Sequence, residues 1–446
     1  MTGLLIRGAS LLGETTEDIR IRGGRIAATG RLTRELDERV IDADGLVALP
    51  GLVDLHTHLR EPGGEASETV LTGTRAAAAG GYTAVFAMAN TSPVADTAGV
   101  VEQVHALGLQ HGYATVRPIG AVTVGLEGER LSEIGAMARS RAEVRVFSDD
   151  GKCVHDALLM RRALEYVATF DGVIAQHAQE PRLTEGAQMN EGALSGELGL
   201  AGWPAVAEES IIARDVLLAQ HTGARLHVCH VSTAGSVEVI RWAKARGIAV
   251  TAEVTPHHLL LTEELARGYD ARFKVNPPLR RDDDVRALRE ALADGTIDIV
   301  ATDHAPHPAE AKECTWAEAA FGMVGLESAL PVLQTTMIET GMLDWEDLAR
   351  VMSRAPAAIG RLDGYADPLT EGAPANVTLI DPAARRTWST GDLRGRSTNT
   401  PYTGVELAGA IVATVHGGVA TVLDGALLPA DEVASAAVRL REAARG

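Results

Sequence analysis

Aromatic residues make up only 4% of this chain, and no Lys/Arg run breaks its acidic balance. No apolar run reaches the roughly 18 residues that a membrane-spanning helix needs. The formal net charge of −19 excludes a nucleic-acid or anionic-membrane surface as the natural partner, because the field around the molecule repels phosphate. There are three cysteines, Cys153, Cys229 and Cys314, an odd number with no CxxC spacing. A disulfide framework is therefore excluded, a reducing compartment fits, and these thiols read as small buried hydrophobes. The first residues, Met1 to Arg7, lack a basic stretch followed by a continuous apolar one, so a cytoplasmic location is expected.

What is present is an ordinary apolar content, 46%, with 46 glycines over 446 residues. That suits an Ala/Val/Leu-packed α/β enzyme, either one large domain with an appendage or two to three smaller ones. If the substrate is an anion, local cations must overcome the general repulsion.

The richest segment is Asp54-Leu55-His56-Thr57-His58-Leu59-Arg60-Glu61-Pro62-Gly63, preceded by the apolar run Gly45 to Val53. In a strand, residues i and i+2 share a side, so His56 and His58 can grip one metal such as zinc, and Arg60 can reach the same side with a guanidinium. Among 14 histidines an isolated HxH is weak, and a pair of polar strand residues is the competing reading.

Residues 1–48 alternate in short runs (Leu4–Arg7, Asp18–Ile21, Arg25–Ala28) broken by Gly23-Gly24 and Gly30, which are hairpin signals. The part from about 365 onward has similar runs, 375–381, 410–418 and 420–425. The two ends are expected to pair into one small β-sandwich domain, 1–48 with 365–446. Between them, 49–364, eight apolar strands are expected at 46–56, 81–89, 113–122, 143–148, 172–177, 224–231, 248–254 and 297–302. Amphipathic stretches such as 153–168, 205–220 and 283–293 separate them. That arithmetic predicts a TIM-like (β/α)₈ barrel, whose active-site groups gather at the C-terminal strand ends; a doubly wound sheet is the alternative.

The strand ends carry His56 and His58, Asp149-Asp150-Gly151, His177, His230, and Asp303 followed by His307. Singly, His177 and His230 could be hydrogen-bonded core histidines, and Asp303 a helix cap. His227, three residues before His230, faces the other way. Together they form a mouth that can hold two divalent ions with a carboxylate between them.

At these residues the chain resembles the cyclic amidohydrolases of the amidohydrolase superfamily, and within them the type I dihydroorotases. The likeness runs over essentially the whole chain. Its marks are the segment 54–63, Met88-Ala89-Asn90-Thr91-Ser92-Pro93, Ser148-Asp149-Asp150-Gly151, His230-Val231-Ser232-Thr233, Lys274-Val275-Asn276-Pro277-Pro278-Leu279-Arg280, Thr302-Asp303-His304-Ala305-Pro306-His307 and Phe321-Gly322-Met323-Val324-Gly325-Leu326-Glu327. In this resemblance the His58–Gly63 stretch with Asn90-Thr91-Ser92-Pro93 is what separates dihydroorotases from hydantoinases and allantoinases.

The resemblance implies two Zn²⁺ per subunit. His56 and His58 would bind one with Asp303, His177 and His230 the other, and Asp150 with a hydroxide would bridge them. Relatives with a carboxylated lysine as bridge leave Lys152 as a weaker candidate, and Asp149 competes with Asp150 by register alone. Substrate contacts would come from His58, Arg60, Asn90, Asn276, His307 and the backbone at Phe321-Gly322, with Arg60 on the ring carboxylate. Asn90 also reads as a turn residue, and His257 and His258 as supporting groups. Asp303 would move the proton while N-carbamoyl-L-aspartate closes to dihydroorotate. The expected partner is a small molecule, with no nucleic acid and no membrane. A homodimer is expected, with association with aspartate transcarbamoylase a further option. Two other readings stand beside this one: a hydantoinase- or allantoinase-like hydrolase, and a non-catalytic scaffold.

Overall fold

The apolar run predicted as one strand over 46–56 is two strands in two different sheets. The computed structural model describes residues 3–365 and 369–443, with side chains up to Val438; residues 1–2, 366–368 and 444–446, at the margins of the predicted end segments, lie outside it. Val47–Pro50 runs antiparallel to Val377–Thr387, whereas Leu52–Thr57 runs parallel to Tyr82–Ala87. The switch falls at Gly51, whose N–H donates to Asn376 O at 2.9 Å. A Cβ at Gly51 would lie 2.3 Å from Thr83 Oγ1, so only glycine lets the chain pass so close. The sequence shows no break because both halves are buried on both faces.

The barrel strands are β1 (Leu52–Thr57), β2 (Tyr82–Ala87), β3 (Thr115–Pro118), β4 (Val146–Phe147), β5 (Val173–Gln176), β6 (Arg225–Val228), β7 (Val250–Val254) and β8 (Ile299–Val300). Seven of the eight fall inside predicted ranges, and β1 runs one residue past its range, to Thr57. β1–β3 and β4–β8 form two parallel arcs. Single parallel bridges, Gly120 to Phe147 and Thr57 to His304, close the two seams. Val53, Leu55, Ala84, Phe86, Val146, Val173, Ala175 and Ile299 meet in one cluster, which only the interior of a closed barrel allows.

Helices fill the outside. Ala157–Ala168, Val206–Thr222 and Asp282–Ala293 match the predicted amphipathic stretches. The first starts four residues later than expected because the Asp156 carboxylate caps it, accepting from Leu159 N at 2.7 Å.

Strands from both chain ends make one nine-stranded sheet, with Val47–Pro50 between Gly3–Leu11 and Val377–Thr387. Its core includes Ile6, Ile19, Ile26, Val377, Leu379 and Val415. The C-terminal end is not all β: Ala430–Ala443 is a helix, with Val433 packed against Tyr113, Val419 and Val422. The Ala/Glu/Arg composition there favours helix. No helix among the described residues is long and apolar enough to cross a membrane.

Candidate metal centre and active site

The β1–β2 register shifts between Asp54 and Thr57. This slip lets the apolar Val53 and Leu55 below and the imidazoles of His56 and His58 above both face the barrel interior. Asp54 locks the bend: its carboxylate accepts from His56 N and Thr302 N at 3.1 Å each, and from the Thr302 hydroxyl, tying β1 to the end of β8. Burial pushes its pKa up to about 6.

Two groups of metal-type donors converge at the strand ends: His56, His58, Asp150 and Asp303, and Asp150, His177 and His230. Asp150 belongs to both, with a different oxygen in each. Its Oδ2 lies 3.4 Å from His56 Nε2 and 3.3 Å from His58 Nε2. Its Oδ1 lies 3.1 Å from His177 Nδ1 and 3.2 Å from His230 Nε2. Asp303 Oδ1 completes the first group, 3.0 Å from His58 Nε2 and 3.4 Å from His56 Nε2. Asp149 points elsewhere, accepting from Val122 N and Thr123 N. Lys152 is exposed on the following loop, outside both groups.

The second nitrogen of three of these histidines is already committed. His56 Nδ1 donates to Glu253 Oε1 at 2.6 Å, His58 Nδ1 to Asn90 Oδ1 at 2.9 Å and His177 Nε2 to Gln179 Oε1 at 2.7 Å. Each ring therefore turns a lone pair toward the carboxylates. His56 Nε2 is buried without a hydrogen-bond partner, and His177 Nδ1 faces His230 Nε2 at 2.9 Å. Three buried carboxylates, Asp150, Asp303 and Glu253, surround these nitrogens. Buried anions facing unprotonated nitrogens require a cation, so the residues fit a metal. The same surroundings set the carboxylate pKa values. Burial alone would raise Asp303, but with protons standing on His56 and His58 in place of the cation, those imidazoles outweigh it and lower it to about 2. Asp150 is held well below the usual range against its burial, chiefly by His56, His177 and His230.

Above the cluster opens a cavity of about 270 Å³, lined by His58, Arg60, Asn90, Asp150, His177, Asn276, Asp303, His307, Phe321 and Gly322 among others. Every substrate contact predicted from sequence is on that wall, and His56 and His230 complete the metal groups beneath it. Among the described residues the hydrogen-bond acceptor of Arg60 is Pro306 O, 3.2 Å from Nε, so most of the guanidinium fork is open to a ligand. Asn276 Oδ1 is buried without a partner, an acceptor for a ring N–H. His307 Nε2 donates to Phe321 O at 2.8 Å, and burial, then Arg60 and Lys312, lower its pKa to about 3. It is a neutral donor here.

Sequence reasoning missed Glu253 and Gln179, which orient the imidazoles. Glu253 also accepts from His227 Nε2 at 3.0 Å, so His227 backs the site without joining it. The available signal was a lone carboxylate inside the buried strand Val250–Val254. His258 is structural, bonded to the Thr255 hydroxyl and Pro277 O. His257 is buried, and burial lowers its pKa to about 4.

Lys312 was also missed. Buried behind the cavity wall, it donates to Lys274 O at 3.1 Å and Ala320 O at 2.8 Å. Burial first, then Lys274, lowers its pKa to about 7, with Asp270 and Cys314 opposing. An unfolded lysine titrates near ~10.4, so from about pH 7 to 10 the unfolded chain keeps a proton that the folded one has released. Stability must rise with pH across that window, by up to a few kcal/mol. Denaturant unfolding at pH 7 and pH 10 should show this rise in the wild type and a flatter one in Lys312→Met; equal slopes would refute it.

The closed barrel with a shared carboxylate between two histidine groups defines the amidohydrolase class of hydrolases. A dihydro-orotase-like family model matches residues 45–236. The chain is 74% identical over 424 residues to the dihydroorotase of Leifsonia xyli subsp. xyli, covering 95% of this chain and 97% of that one. It is 54% identical to the dihydroorotase of Mycobacterium tuberculosis, covering 95% and 99%. The chain belongs to the dihydroorotase family. Its fold is shared with the L-hydantoinase (dihydropyrimidinase) of Arthrobacter aurescens, TM-score 0.85 at 25% identity over 96% of this chain and 98% of that one. The dihydropyrimidinase of Brevibacillus agri gives 0.83 at 22% identity over 96% of each.

Proposed function

We propose that this chain catalyses the reversible closure of N-carbamoyl-L-aspartate to (S)-dihydroorotate with release of water, a step in making UMP. The observation that carries the reading is Asp150 split between two histidine groups directly under a cavity that holds an open arginine. The hydantoinase and allantoinase readings rank below it because those ring substrates need no cation where Arg60 stands. The scaffold reading ranks lower still, because every predicted donor is present in the cluster.

In this reading His56, His58 and Asp303 would hold one Zn²⁺ and His177 and His230 the second, with Asp150 shared between the two sets. When bound, the pair would supply Lewis acidity and a water acidic enough to ionise near neutral pH. Arg60 binds the substrate carboxylate bidentately, Asn90 and His307 support it, and Asn276 with the Phe321-Gly322 backbone holds the ring amides. In hydrolysis Asp303 takes the proton from the attacking water and returns it to the leaving ring nitrogen; closure runs in reverse. Closure consumes one carboxylate and one proton, so its apparent equilibrium constant falls about tenfold per pH unit above the carboxylate pKa.

We assign residues 1–50 and 365–446 to a composite β-sandwich domain, two residues beyond the expected boundary at 48 because Val47–Pro50 pairs with Val377–Thr387, and 51–364 to the barrel, and read the protein as a cytoplasmic homodimer able to associate with aspartate transcarbamoylase. The deciding assay offers zinc-loaded protein dihydroorotate, hydantoin and allantoin separately. Hydrolysis of dihydroorotate is expected, and turnover of another ring alone would overturn the assignment. Arg60→Ala is expected to weaken substrate binding by about 1.5–3 kcal/mol, the range for hydrogen bonds to charged groups. An unchanged KM would remove Arg60 as the anchor.

A further inference from the structure

The segment between the strands Val377–Thr387 and Glu406–His416 leaves the composite sheet, crosses to the mouth of the barrel and returns. It is bolted down along its length. Glu327 Oε1 accepts from Arg394 N at 2.8 Å and Gly395 N at 3.2 Å. The buried Glu68 accepts from Arg396 N at 3.1 Å, and the Ser397 hydroxyl donates to Ser67 O at 2.6 Å. The last attachment is Asn399, only 6% exposed.

The Asn399 carboxamide serves three backbone groups at once. Nδ2 donates to Ala305 O at 3.0 Å and Gly322 O at 3.2 Å, while Oδ1 accepts from His307 N at 3.1 Å. Two acceptors on one side and a donor on the other fix which way the amide points. Its own carbonyl accepts from Val324 N at 3.2 Å. One side chain thereby joins the two loops that carry His307 and Phe321-Gly322. The fit between those loops is tight: at Gly322, φ +133°, a Cβ would meet His307 Nε2 at 2.9 Å.

The loops already share a backbone bond, Ala305 N to Met323 O at 2.9 Å. That bond sets their spacing. It does not set how far the His307 backbone stands from Gly322, a gap that the carboxamide spans from backbone to backbone beside the His307 Nε2–Phe321 O bond. Ala305 also lies two residues from Asp303, so displacement there reaches the proton-transfer group.

We propose that Asn399, contributed by the C-terminal part of the chain, is a positioning residue for substrate capture, holding His307 and the Phe321-Gly322 backbone in register with Asp303. This rests on the assignment of those groups as substrate contacts. Positioning over distances of this order decides whether binding contacts form together.

The test uses the full-length zinc-loaded protein with dihydroorotate, comparing Asn399→Asp, Asn399→Ala and His307→Ala singly with the double variant Asn399→Ala/His307→Ala. Asn399→Asp keeps the shape and the acceptor for His307 N but sets a carboxylate against two carbonyls, and it serves if the alanine variant fails to fold. KM is expected to rise about tenfold with kcat changed less than about threefold, at wild-type metal content. In the double variant the Asn399→Ala effect should shrink, because it acts through His307. A fall in kcat and melting temperature at constant KM, or additive effects in the double variant, would overturn the proposal. Arg60→Ala is the control: a wild type that turns over dihydroorotate with a KM indifferent to Arg60 faults the substrate-site assignment, not Asn399.

Discussion

Asp303→Asn is expected to reduce turnover by about 10²–10⁴-fold or more in both the ring-opening and ring-closing directions, while the protein stays folded. Asparagine is the informative replacement. Asp303 sits at φ +46°, a left-handed conformation that asparagine tolerates and most other residues do not, so the loop carrying Ala305 and His307 should keep its path. The amide oxygen can still face His58 Nε2, where the carboxylate lies at 3.0 Å. What disappears is the ability to take up and return a proton. Because the same group serves both directions, the two rates must fall together and leave the equilibrium ratio unchanged. Metal content measured on the same sample separates lost proton transfer from lost ligation. Retained turnover with metal bound would remove Asp303 from the proton-transfer role, and a loss confined to one direction would be thermodynamically inconsistent with a single shuttle.

The strand ends were legible in the sequence because a parallel barrel imposes one rule on every repeat: an apolar run, then a polar residue at the mouth. His56, His58, Asp150, His177, His230 and Asp303 all sit where that rule puts them. The groups that orient them were hidden for different reasons. Glu253 lies inside an apolar strand, and its two histidine partners, His56 and His227, stand 197 and 26 residues away. Gln179 follows His177 by two residues and carries no motif of its own. Asn399 comes from the far end of the chain, 92 residues from His307, and a single asparagine in a Ser/Thr-rich loop reads as a turn. The split at Gly51 was invisible because burial erases the alternation that marks a strand's face. Except for Gln179, the missing information is a long-range contact, which local periodicity does not encode.

Replacing Asp150 by alanine should empty the His177–His230 site and weaken the other, whereas His177→Ala should affect the second site alone. The reason is the division of the carboxylate: Oδ2 faces His56 and His58, and Oδ1 faces His177 and His230. His56 Nε2 already lacks a hydrogen-bond partner, and His177 Nδ1 stands 2.9 Å from His230 Nε2. Without Asp150 the first group retains only His56, His58 and Asp303, and the second is reduced to two facing imidazoles. Two neutral nitrogens do not hold a divalent ion against water with the affinity of a charged three-donor set. Metal analysis after dialysis is therefore expected to give about two ions per chain in the wild type, about one in His177→Ala and at most about one, more weakly held, in Asp150→Ala. A ligand that binds only the folded state raises the melting temperature by mass action. Added zinc should thus raise it in the wild type, a chelator should lower it, and both responses should be smaller in Asp150→Ala. Turnover should fall below that of Asp303→Asn, since the variant loses the metal chemistry as well as the geometry around the proton shuttle. Two ions per chain in Asp150→Ala, or a remaining ion held as tightly as in the wild type, would show that the carboxylate is not shared between the two sites.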